Sequence, residues 1–119
     1  IYVTTIGNLE VQPYGDIKIT RDHYRKGMKS TDYEERIGHL RKAMDSELFT
    51  HDIRAHSDLN EHLRGLIGNG IHLFDLEKEL IDRKFEFGLD DFTDYLHFAD
   101  GTNSLVGELL YEMMVKDVI

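Results

Sequence analysis

The sequence contains no cysteine, no tryptophan and a single proline among its 119 residues. Without cysteine there is no thiolate nucleophile, disulfide framework, iron–sulfur cluster or cysteine-type zinc site. No apolar run approaches the ~20 residues that span a bilayer, so no membrane insertion is expected. No basic-then-apolar signal segment opens the chain, and Ile1 stands where a Met would begin, which reads as a trimmed or processed start. The missing signal and missing cysteine point to the cytoplasm, although secreted proteins can also lack cysteine. Serine nucleophile elbows, HExxH and EF-hand loops are absent. The glycine-rich run Gly65-Leu66-Ile67-Gly68-Asn69-Gly70 matches neither a dinucleotide fingerprint nor a P-loop and reads as a helix stop.

What is present fits one domain over residues 1–119. A chain of this length buries roughly two thirds of its unfolded surface, and 40% hydrophobic residues with no low-complexity segment argue against disorder. The expected fold class is α+β: a small N-terminal antiparallel meander of two or three strands, then about five helices. Ile1–Ile6, Leu9–Val11 and Asp16–Thr20 are the β-branched or alternating runs, separated by Gly7-Asn8 and Pro13-Tyr14-Gly15. Asp22–Met28 is ambiguous. Thr31 and Glu34 form a capping box that opens a helix whose stripe Tyr33, Ile37, Leu40 and Met44 faces a core. Further helices are read from Ser57 to Gly68, from His72 to about Lys84, and from Asp90-Asp91 to Asp100-Gly101. The last is capped by Asn103 or Ser104 and turns Leu105, Val106, Leu109, Leu110, Met113 and Met114 inward. Phe85-Glu86-Phe87 reads as helix end or loop.

The charge is uneven. Lys and Arg number 14 against 23 Asp and Glu, a net of −9. Residues 89–119 hold seven of the acids and one base, Lys116, while Lys18, Arg21, Arg25, Lys26 and Lys29 cluster around Asp22. Such an acidic end is read either as the solvated side of two helices or as a surface that steers toward a basic partner. Direct nucleic-acid binding through Lys18–Lys29, with His23 and Tyr24 stacking on bases, is disfavoured by the negative net charge.

Seven histidines supply the chemical candidates. Leu48-Phe49-Thr50-His51-Asp52-Ile53 resembles locally the apolar-flanked His-Asp doublet of HD-domain metal phosphohydrolases. The resemblance implies that His51 and Asp52 give a nitrogen and an oxygen ligand to a divalent ion, with His56 close by. It covers about six residues, and His39 precedes the doublet by only 12, where that family uses separate helices. Asp90, Asp94 and His97 share one face if residues 90–99 are helical, a pattern that equally marks a solvated helix side.

The expectation drawn from these features is a non-enzymatic binding or inhibitor protein of the immunity, antitoxin or phage-inhibitor kind, with no catalytic residues and no cofactor. It would dock on a basic protein or nucleoprotein through Asp90, Asp91, Asp94, Asp100, Glu108 and Glu112. The alternatives are the metal-dependent phosphohydrolase built on the doublet and a self-assembling structural protein, and a homodimer is compatible with the apolar terminal helix.

Overall fold

The computed structural model describes residues 2–7, 10, 17–47, 57–68, 70–93 and 97–118. Within them the fold is mainly helical, and its largest local unit is an antiparallel helix pair. Lys18–Lys29 form α1, so the residues read as the last strand of a meander begin a helix instead. The positions that decide this are Thr20, Tyr24, Gly27 and Met28, spaced by helical turns. Thr20 and Gly27 are buried, and Tyr24 and Met28 pack on the Ile37–Leu40–Met44 cluster. Helix α2 spans Tyr33–Ser46. Its cap is Asp32 rather than Thr31, with the carboxylate accepting the Glu35 N–H at 3.2 Å. The expected stripe is core: Leu40 and Met44 are fully buried and Ile37 nearly so.

Gly27 sets how close the two helices come. A Cβ there would stand 2.8 Å from Leu40 Cγ and 3.2 Å from the Arg36 carbonyl, which no side chain tolerates without displacement. At the other end of the pair, the Thr20 and Ser46 hydroxyls share a hydrogen bond of 2.7 Å.

Strand β1, Tyr2–Thr4, has its partner far along the chain. It pairs in parallel with β2, His72–Phe74, Tyr2 opposite His72, and the Thr5 N–H extends the ladder to the Phe74 carbonyl at 3.2 Å. Among the described residues there is no antiparallel N-terminal meander; Leu9 and residues 11–16, which carry much of the expected second and third strands, lie outside them. A parallel pair needs a long crossover, and α1, α2 and α3 supply it.

Helix α3 covers Ser57–Arg64 and stops before the Leu66-Ile67 expected within it, both of which are exposed. Gly68 and Ile71 exchange backbone hydrogen bonds across a tight turn, with Gly68 at φ 121° and Gly70 at φ 84°, the left-handed values that favour glycine. His72–Phe74, expected as helix, is strand β2. Asp75 then caps α4, Leu76–Asp82. This helix ends in a Schellman motif in which Lys84, at φ 57°, occupies the left-handed position and Phe85 N–H reaches the Leu80 carbonyl.

The helix expected over residues 90–99 is not formed. Leu89–Asp91 make one 3-10 turn, and Phe92 pairs antiparallel with Phe98, supported by Thr93 N–H to the His97 carbonyl and Ala99 N–H to the Asp91 carbonyl. Aromatic packing explains the departure. Phe87, Phe92 and Phe98 meet with ring centres 5.4–6.2 Å apart, and residues 92 and 98, six apart, cannot share a helix stripe while their rings stack. The final helix α5 runs Asp100–Val118, so Asp100-Gly101 starts it rather than ending the previous element.

Two apolar clusters hold these parts. One gathers Leu76 and Leu80 of α4, Phe87, and Val106 and Leu109 of α5, with Phe85, Phe92, Phe98, Leu105 and Leu110 against it. The other is the α1–α2 seam, closed by Tyr33 and by Ile81 of α4. Tyr33 and Arg36 of α2 tie the clusters together, since Tyr33 OH donates to the Phe85 carbonyl at 3.0 Å and Arg36 Nη2 to the Phe87 carbonyl at 3.0 Å.

Candidate functional site

The acidic residues singled out above do not form two helical faces; the structure distributes them. Asp91 is spent internally: one carboxylate oxygen accepts the Gly88 N–H at 2.7 Å and the other accepts the Thr102 hydroxyl at 3.3 Å, pinning the 3-10 turn to α5. Asp90 is exposed beside it, and Asp94 lies outside the described residues. Among the described residues, Thr93 N–H bonds the His97 carbonyl and Ala99 N–H the Asp91 carbonyl, so Asp90 and His97 do not lie on the one helix face expected for them.

Helix α5 keeps the rest. Asp100, Glu108 and Glu112 are exposed, and Glu112 accepts from Arg83, the C-cap of α4, at 3.2 Å. Glu108, Tyr111 and Glu112 follow at helical spacings of three and four, which puts them on one stripe, and Met114 is one further turn along from Tyr111. Tyr111 is 69% exposed and Met114 42% exposed. Of the stripe expected to face inward, Val106 and Leu109 are buried, Leu105, Leu110 and Met113 are half-buried, and Met114 turns outward, as does Tyr111 beside it.

His51, Asp52 and His56 fall outside the described residues. His39 takes a different role from the upstream ligand suggested by spacing, since its Nδ1 lies 3.1 Å from Nδ1 of His23. Among the described residues no three His, Asp or Glu side chains converge as a metal site, and no helix there is long and apolar enough to cross a membrane.

Sequence reasoning missed the densest polar cluster. Arg64, at the end of α3, donates to both oxygens of Asp75, at 2.7 and 3.0 Å, and to Glu77 Oε1 at 3.0 Å. Glu61 accepts from the same guanidinium. Arg41 of α2 approaches Glu77 Oε1 at 3.5 Å. Thr5 links this cluster to β1: its hydroxyl donates to Asp75 Oδ1 and accepts the Glu77 N–H, both at 2.9 Å. Its hydrogen bonds to Asp75 hold the Arg64 guanidinium more firmly protonated than usual. Burial opposes ionisation of Asp75, yet the bonds from Arg64, Thr5 and the Lys78 N–H keep its carboxyl below the ordinary range. Glu77 is 2% exposed. Next to the cluster, Asn60 presents its amide to Ile6 as a strand would, accepting the N–H at 2.8 Å and donating to the carbonyl at 2.9 Å. The roles are structural: these bonds join β1, α3 and α4. The only signal in the sequence is the spacing of Asp75 and Glu77 around a helix start, which says nothing of Arg64.

No protein-family model matches the chain, and neither the curated proteins nor the solved structures contain a match to it.

Proposed function

We propose that this is a non-enzymatic binding protein of the cytoplasm that docks on a basic protein surface through the outer face of α5. The observation that carries the reading is Tyr111, a large aromatic side chain left 69% exposed between Glu108 and Glu112 on a helix whose one basic residue is Lys116. Tyr and Met are enriched where protein surfaces meet, and an acidic rim accelerates encounter with a basic partner while discouraging acidic ones. Asp90 and Asp100 extend the negative field without being spent on the fold. Asp91 no longer belongs to the docking set, because the turn before α5 uses both of its oxygens. An inhibitor or immunity-type role toward a basic enzyme fits such a surface.

The test is affinity capture from host lysate on immobilised wild-type protein and, in parallel, on a Glu108→Lys/Tyr111→Ala variant. A basic protein retained by the first, lost at high salt and lost with the variant supports the reading. Identical capture by both proteins overturns it.

A further inference from the structure

On a surface of opposite character, α1 and α2 flank an open groove of about 630 Å³ lined by Ile19 and His23 of α1 and by Gly38, Arg41, Lys42, Asp45 and Ser46 of α2. That volume falls within the roughly 300–1,000 Å³ of small-molecule sites. From Lys42, Arg41 and the open floor at Gly38, we propose that this groove binds a small organic phosphate, its anion held by Arg41 and Lys42 and its apolar body lying over Ile19 and Gly38.

Four observations support the assignment. A Cβ at Gly38 would meet nothing within 4 Å, so the floor is open backbone. Ile19 is 58% exposed despite its size, giving an apolar contact that water does not favour. Arg41 is an under-used donor: its side chain is 41% exposed, and among the described residues its pairing is one long 3.5 Å approach of Nη2 to Glu77. A guanidinium with donors to spare is well suited to phosphate oxygens. Asp45, the one carboxylate of the lining, keeps its charge while accepting the Ser57 N–H at 2.9 Å, and Arg41 and Lys42 outnumber it two to one among the lining residues.

The field is registered by His23 on the groove wall. Burial lowers its affinity for a proton, and His39 and Lys42 of α2 and Lys26 of α1 lower it further, with Asp22 of α1 acting the other way. A bound phosphate dianion opposes those cations and restores the proton affinity of His23. Binding of the dianion is therefore coupled to proton uptake at His23.

The experiment is a titration of the isotopically labelled full chain, followed by amide NMR, with adenosine monophosphate, inorganic phosphate and adenosine as probes. The expected result is saturable shifts at Ile19, His23, Gly38, Lys42 and Ser46 with the monophosphate, weaker ones with phosphate, and none with adenosine. Lys42→Glu, a surface substitution, is expected to weaken binding roughly tenfold or more, equivalent to at least one decade in Kd. Absence of saturable shifts with the monophosphate overturns the site, as does an unchanged Kd in Lys42→Glu. Equal affinities for inorganic phosphate and the monophosphate overturn the organic ligand. None of these readouts depends on α5, so failure here leaves the docking face of Tyr111 untouched.

Discussion

His23 and His39 face each other Nδ1 to Nδ1 across the α1–α2 seam, the nitrogens 3.1 Å apart and the ring centres 5.3 Å apart. The centres are farther apart than the nitrogens by about two ring radii, so the nitrogens point toward one another. One of them carries a proton and the other supplies the lone pair. A second proton between them has no acceptor.

This relationship gives stability a defined pH dependence. His23 holds its proton less tightly in the fold than the ordinary value of 6.5. As pH falls through 6.5 the unfolded chain takes up a proton at His23 that the fold refuses, so stability declines from there down to the lowered native value and is flat above. Urea melts at pH 7.5 and 5.0 check it: the acid-side loss is expected to be smaller in His23→Gln than in the wild type. Equal losses would count against the assignment.

Two glycine substitutions separate helix propensity from packing. Gly107 lies on α5, and a methyl group placed there would meet nothing within 4 Å, so Gly107→Ala is expected to gain up to about 1 kcal/mol. Gly27→Ala gains the same propensity but drives a methyl into Leu40 and the Arg36 carbonyl, and overpacking of this kind costs about 1–3 kcal/mol. Thermal melts of the two variants should move in opposite directions.

The cluster around Glu77 predicts a large penalty for removing its counter-charge. Arg64→Met takes away the 3.0 Å bond to a carboxylate that is 2% exposed and leaves it the longer 3.5 Å approach of Arg41; breaking a buried pair from one side costs about 3–5 kcal/mol, and the remaining Arg41 holds the loss to the lower end. Adding Glu77→Gln removes the buried charge that Arg41 alone compensates only at 3.5 Å, so the double variant is expected to be more stable than Arg64→Met alone. Chemical denaturation of the three proteins measures it.

The parts of this fold legible in the sequence are those with local causes. The Tyr33–Ile37–Leu40–Met44 stripe announces a buried helix, and the glycines at 68 and 70 announce a turn. The elements that depart from their local pattern are decided at a distance. Ile17-Lys18-Ile19 alternates like a strand, yet Thr20, Tyr24 and Gly27 find α2 and become helix. Asp90–Ala99 has an acidic start and aromatic spacing suited to a helix, but the Phe87–Phe92–Phe98 contacts outweigh it. The candidate acids divided for the same reason: Asp91 is indistinguishable from Asp90 in sequence, and only the positions of Gly88 and Thr102 make one a clasp and leave the other to face solvent.

Thr5 has a consequence for how the molecule comes apart. A helix as short as α4, seven residues, does not persist alone in water, and one of its opening amides, that of Glu77, is satisfied by a hydroxyl 72 residues earlier. Proteolytic cutting just after Ile6 would detach that hydroxyl and β1 together. The floor under α5, formed by Leu76 and Leu80, would then lose its helix, and a single nick at one end would be felt at the other as cooperative unravelling.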